Sequence, residues 1–175
     1  RGEPAFRRTA AAAVAEAVRQ GGAIAVWASR CAPGAPARAA AAGVPLLRVE
    51  DGFIRSAGLG AGFLPGASIV VDRRAPYYAP SLDGDLERLL ATADFPPALL
   101  ARAEALAAAL RARGVTKYNL GGAMAALPPA NGRRRILVPG QVADDLSVLR
   151  GATGAVRGDA ALLRAAREAE PDAFL

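Results

Sequence analysis

The chain alternates short apolar runs with alanine-rich amphipathic stretches. Residues 5–20 carry their charges on one side and predict a helix stopped by Gly21-Gly22. Ala23-Ile24-Ala25-Val26-Trp27 predicts a short strand, residues 36–42 a short helix ending at Gly43, and residues 45–49 a second strand. That spacing is a βαβ unit, which implies a parallel pair with a right-handed crossover. Ser68-Ile69-Val70-Val71-Asp72 predicts a third strand. Pro76-Tyr77-Tyr78-Ala79-Pro80 is excluded from helix and reads as extended or turn. Ser81, Asp83 and Asp85 offer caps for a helix over 85–91. Pro96-Pro97 opens a helix over 97–113 that Gly114 ends, and its Leu99, Ala103, Leu106 and Leu110 are expected to pack in the core. Residues 121–132 form a Gly/Ala/Pro-rich connector. Beyond it come a strand over 135–139, a helix over 159–170 between Asp159 and Pro171, and a further strand starting at Asp172. The expected class is α/β, with a Rossmann-like three-layer parallel sheet. The expected division is a first domain over 1–115, a connector over 116–132 and the truncated start of a second Rossmann-like domain over 133–175.

Composition narrows the chemistry. At 175 residues and 53% hydrophobic, the chain is globular and holds one domain or one and a half. No apolar run reaches the ~18 residues that a membrane span needs. Arg7, Arg8, Glu16 and Arg19 interrupt the alanine-rich start, so it reads as neither signal peptide nor span. Cys31 is the single cysteine, which precludes an internal disulfide and suits a reducing, cytoplasmic setting. Histidine is absent, which removes Ser-His-Asp and Cys-His catalysis and His-type zinc sites. Proton transfer then falls to carboxylates, tyrosine or Lys117, the one lysine. The net charge of +6 suits anionic partners. No basic run interleaves with aromatics, so nucleic acid is not an expected partner. Arg133-Arg134-Arg135 reads as the flank of a strand.

Two acidic turns carry the candidate chemistry. Glu50 and Asp51 directly follow the strand 45–49; Gly52 is read as a sharp turn, and Arg55 and Ser56 supply donors. Gly140-Gln141-Val142-Ala143-Asp144-Asp145-Leu146-Ser147 follows the strand 135–139 in the same way. In open α/β sheets, ligands sit at the carboxyl ends of strands. Two carboxylates at one sugar are the usual equipment for chemistry at an anomeric carbon, and Arg55 with a glycine-rich backbone suits an anionic group. The same residues also fit plain strands followed by solvated acidic turns. No metal site is expected: a D-x-D pair is missing near 45–49, and Asp83-Gly84-Asp85 reads better as a helix cap. Lys117-Tyr118-Asn119 gathers three side chains that are uncommon in this chain.

Val49-Glu50-Asp51-Gly52-Phe53-Ile54-Arg55-Ser56-Ala57-Gly58-Leu59-Gly60 resembles the signature of the capsule polysaccharide biosynthesis family, the bacterial retaining β-Kdo glycosyltransferases. Further matches stand in the family's order: Ala25-Val26-Trp27, Ser68 to Asp72, Pro76-Tyr77-Tyr78, Ser81 to Leu90, Thr116-Lys117-Tyr118-Asn119-Leu120, and the Gln141-xxx-Asp145-x-Ser147 loop. The resemblance runs from about residue 23 to the end. It implies a two-domain GT-B-like fold of which this chain is an incomplete piece. It implies transfer of Kdo from CMP-Kdo to a lipid-linked acceptor with retention of the β configuration, in the cytoplasm or peripherally at the inner membrane. Asp145 falls on the expected nucleophile, and Glu50 and Asp51 on the acid/base position, Glu50 first. Arg55, Ser56, Lys117, Tyr118, Asn119, Gly140, Gln141 and Ser147 fall on expected contacts to sugar, carboxylate or phosphate. The implied partners are CMP-Kdo, an anionic glycolipid acceptor, the inner membrane and capsule assembly proteins, with no cofactor beyond the donor. The family's Lys-x-His-Pro motif, which serves the cytidine nucleotide, has no counterpart here, so these 175 residues alone are expected to lack the main CMP half of the site and to be inactive by themselves. The competing expectation is a non-catalytic nucleotide- or partner-binding module of a capsule assembly or export system.

Overall fold

The computed structural model describes residues 3–59, 64–79, 82–122 and 126–175. Gly60, Pro80 and Ser81, which the sequence reading uses, lie outside the described residues. The chain divides into two compact units. The first comprises Arg1–Tyr77 with Leu82–Gly121, the second Tyr78–Ser81 with Gly122–Leu175.

The first unit opens with helix α1, Ala10–Gln20, later than the alanine content suggests. Thr9 sets the start, because its hydroxyl accepts the Ala12 N–H at 3.2 Å. Gly21 ends the helix at φ +63°, where a side chain would be strained. Arg7 pairs with Glu16 at 3.2 Å and ties the preceding segment to α1. Arg19 also bonds Glu16, and the two arginines, Arg19 foremost, hold that carboxyl below the usual glutamate range. Strand β1 (Ile24–Trp27), helix α2 (Ala35–Ala41) and strand β2 (Leu46–Asp51) then form the expected βαβ unit, with β1 and β2 parallel and Ile24 opposite Leu46. Ala17, Ile24, Ala39 and Val44 make the buried core, with Ala13, Val14, Val26 and Leu46 packed around it. Alanine at the helix contacts lets α1 and α2 lie close to one face of the sheet.

Strand β3 (Ile69–Asp72) departs from the expected parallel sheet. It pairs with β2 antiparallel, Val49 opposite Val71 and Asp51 opposite Ile69. Among the described residues the sheet is thus mixed and three-stranded, in the order β1-β2-β3. A parallel return needs a long crossover, usually a helix, whereas an antiparallel return needs only a loop. No helix occurs among the described residues between Gly52 and Ser68, which is consistent with the antiparallel return. The expected third layer is also missing among these residues. Ala25, Trp27, Ile69 and Val71 share the face away from the core and are exposed.

Asp72 ends β3 at 5% exposure. Its carboxylate accepts the N–H groups of Arg74 (2.6 Å), Ala75 (2.8 Å) and Asp85 (2.7 Å), the last being the first residue of helix α3, Asp85–Thr92. A residue from a strand therefore caps α3. The local candidates are used otherwise: Asp85 accepts from Arg73 N–H at 2.9 Å and Asp83 pairs with Arg74 at 3.5 Å. Helix α4, Pro97–Ala112, forms as expected, but its leucine stripe is not core. Leu99 is 43% exposed and Leu106 55%. Alanine on every side gives this helix its propensity without help from packing.

The second unit holds helices α5 (Leu146–Gly151) and α6 (Asp159–Ala169). The strand expected over 135–139 shrinks to a single parallel bridge between Arg135 and Phe174, closed by Ile136 N–H to Phe174 C=O and Phe174 N–H to Arg134 C=O. Pro139 has no N–H with which to extend it. The three exposed arginines of this segment bond to groups of the same chain: Arg133 with Ala130 C=O, Arg134 with Glu170 and Arg135 with Pro128 C=O. The guanidinium groups of Arg133 and Arg135 also lie 5.3 and 5.8 Å from the Phe174 ring.

Candidate active site

The acidic pair is strand, not loop. β2 runs through Glu50 and Asp51, and consecutive strand residues project to opposite faces. Glu50 lies on the core face, 8% exposed, and its Oε1 accepts the N–H of Ser29 at 2.5 Å. Ser29 sits in the short 3-10 turn Ala28–Arg30 that follows β1, so the carboxylate anchors the end of the neighbouring strand. Asp51 lies on the other face, where Arg55 pairs with it at 3.2 Å. A second N–H of Arg55 donates to Leu64 C=O at 3.0 Å. The two carboxylates are therefore fixed separately, one by a backbone N–H and one by a guanidinium.

Gly52 serves close approach rather than a sharp turn. A Cβ there would collide with the Ser68 hydroxyl and backbone. Gly52 N–H donates to Ser68 C=O at 2.9 Å, and Ser68 Oγ donates to Ile54 C=O at 2.6 Å. Among the described residues, the backbone of 55–58 pairs with no strand. It is met by the Thr116–Asn119 segment instead: Arg55 and Ser56 N–H donate to Lys117 C=O at 2.8 and 3.2 Å, and Gly58 N–H donates to Tyr118 C=O at 2.6 Å. Asn119 Nδ2 donates to Ser56 C=O at 3.0 Å. Ser56 itself is 1% exposed and its Oγ donates to Gly58 C=O, so this hydroxyl serves the loop. Lys117 is exposed, its Nζ 5.2 Å from the Tyr118 ring centre. The Phe53 and Tyr77 rings stand 5.7 Å apart. Thus Glu50, Asp51, Arg55, Ser56, Lys117, Tyr118 and Asn119 all belong to the first unit, and two distant stretches of sequence are sewn into one structure.

Gly140, Gln141, Asp145 and Ser147 belong to the second unit. Asp145 is exposed and caps α5: its Oδ1 accepts Ser147 N–H at 2.7 Å. The loop before it is pinned by Asp159, whose Oδ1 accepts Gln141 N–H at 3.0 Å, and a Cβ on Gly140 would press on the same carboxylate. Ser29, Ser68, Thr116 and Asp159 are supports that the sequence reading missed. Only Thr116 had a local signal, a Thr-x-x-Asn spacing that suits reciprocal side chain–backbone bonds. Among the described residues, no group of three or more potential metal ligands gathers, and no helix is long and apolar enough to cross a membrane.

A βαβ unit whose second strand ends in two anchored carboxylates, beside a glycine- and arginine-bearing loop, defines an α/β protein. The chain belongs to the capsule polysaccharide biosynthesis protein family, whose profile matches residues 22–175. It is similar to the capsule polysaccharide modification protein LipA of Neisseria meningitidis serogroup A, 38% identical over 132 residues, which is 75% of this chain and 18% of LipA. It is also similar to the lipopolysaccharide-processing protein LpsZ of Rhizobium meliloti, 42% identical over 112 residues, 62% of this chain and 25% of LpsZ. Among solved structures, the β-Kdo 2,4-transferase of Thermosulfurimonas dismutans KpsC superposes with a TM-score of 0.74 at 32% identity, over 85% of this chain and 46% of that one. The β-Kdo 2,7-transferase of the same KpsC gives 0.63 at 27% identity, over 92% and 48%. The chain therefore spans a quarter or less of these curated relatives and just under half of the two solved chains.

Proposed function

We propose that this protein is a GT-B-like, retaining β-Kdo glycosyltransferase that moves Kdo from CMP-Kdo to a lipid-linked acceptor. The observation that carries the reading is its likeness, at 32% identity and a TM-score of 0.74, to a solved Kdo transferase. In this reading Asp145 attacks the anomeric carbon of Kdo, the bond to the CMP phosphate breaks with its electron pair leaving on the phosphate, and a glycosyl ester forms. The acceptor hydroxyl then attacks the same carbon, the ester bond breaks back onto Asp145, and a β2 carboxylate takes the hydroxyl proton. Two inversions give retention. Glu50 is the first choice for that base, with Asp51 second. The fixed orientation of Glu50, held by Ser29 N–H, supports the order. Asp51 already balances the Arg55 charge.

Lys117, Tyr118, Gln141 and Ser147 are proposed as contacts to the anionic sugar and phosphate, with Arg55, Ser56 and Gly140 shaping the surface beneath. The proposed setting is the cytoplasmic side of the inner membrane, where a lipid acceptor and capsule assembly proteins would be met.

The test is Asp145→Asn in the intact protein with CMP-Kdo and a Kdo-bearing glycolipid. Asparagine also caps helices, so α5 should persist while the nucleophile is lost. Transfer should fall about 10³-fold or more, and wild-type protein given donor alone should gain the mass of one Kdo on the peptide containing Asp145. Undiminished turnover in the variant would remove Asp145 from the chemistry.

A further inference from the structure

We infer that Asn119 is a positioning residue that sets where the Arg55–Gly58 loop stands, and that it acts through the loop rather than by touching sugar. The inference rests on the transferase reading for its kinetic consequence and on geometry alone for the clamp. Asn119 holds φ +49°, in the left-handed region that asparagine tolerates better than most residues. Its Oδ1 accepts Thr116 N–H at 2.9 Å and its own N–H donates to Thr116 Oγ1 at 3.0 Å, which closes a reciprocal turn. Its Nδ2 reaches across 63 residues of sequence to Ser56 C=O at 3.0 Å. Both ends of the amide are thus used inside the protein.

The turn has a purpose visible in its neighbours. It presents the carbonyls of Lys117 and Tyr118 to the N–H groups of Arg55, Ser56 and Gly58, which pair with no strand among the described residues. On its other side the loop is held by Ala67 N–H to Arg55 C=O at 2.6 Å. The Asn119 amide is the side-chain bond from the 116–119 segment that fixes the register between these stretches. A shift there moves Arg55 against Asp51 on one side and the Lys117 side chain on the other. Misplacement by about 1 Å near reacting groups can cost on the order of 10²-fold in rate.

Two variants separate the parts. Asn119→Gly keeps the backbone conformation and removes the side chain. Asn119→Asp keeps the acceptor for Thr116 and loses the donor to Ser56. In the intact protein, both should speed amide hydrogen exchange at Arg55, Ser56 and Gly58 roughly five- to thirtyfold. Exchange at Val26 and Val49 in the sheet should not change. Transfer assays should show kcat down about 10- to 100-fold with KM for donor and acceptor within about twofold. Unchanged exchange at the three amides overturns the clamp. A raised KM with wild-type kcat overturns the positioning role and makes Asn119 a substrate contact. Wild-type protein that transfers no Kdo defeats the transferase reading, and the exchange data then decide the clamp alone.

Discussion

At the scale of the residue, one of the most heavily bonded side chains has no part in the proposed chemistry. Asp72 is buried and satisfies three backbone N–H groups, two in the turn after β3 and one at the start of α3. Asp72→Ala would leave all three without their acceptor and should lower stability by about 2–4 kcal/mol in urea denaturation. Asp72→Asn, which keeps one carbonyl oxygen, should lose less. Equal stability of the alanine variant and wild type would show that water replaces the carboxylate at no cost. The contrast with Asp145 is useful. That residue also accepts a backbone N–H, but it is exposed and caps only a short helix.

At the scale of the element, β2 and the loop after it depend on Gly52. Its hydrogen is needed because the Ser68 backbone lies where a side chain would go. Gly52→Ala should force β2 and β3 apart and cost about 1–3 kcal/mol in thermal unfolding, with faster exchange at the Gly52 amide itself. An alanine variant as stable as wild type would mean the strand ends yield freely. The elements differ in how far their sequence announced them. α1, β1, α2 and β2 were legible because apolar periodicity and glycine stops agree there. The antiparallel sense of β3 was not, since its apolar run reads the same in either direction. The α4 stripe was misread because leucines at helical spacing predict a covered face only when something covers them. The candidate residues were chosen from the sequence, but their geometry could not be. Nothing local in Glu50-Asp51 says that the strand continues through both, and only Asn119 with Thr116 hinted at the turn that grips the loop.

At the scale of the whole molecule, the chain is two units, and its last crossing between them falls at Gly121 and Gly122. Leu120 and Leu127, on either side of that boundary, are 63% and 60% exposed. Limited digestion with chymotrypsin should therefore cut after Leu120 before it cuts within β1, β2 or α1; Pro128 protects the bond after Leu127. First cuts inside the sheet would contradict the division. The first unit gathers most of the proposed sugar-side residues and the second holds the proposed nucleophile. Within the first, the alternation along β2 sets a rule of parity for inherited change. Losing a single residue between Leu46 and Val49 would put Asp51 on the core face beside Ser29 and Glu50 on the opposite face, and gaining one would leave Ser29 facing Val49. A change of two residues would restore the faces but carry both carboxylates about 6.6 Å along the strand, out of reach of Ser29.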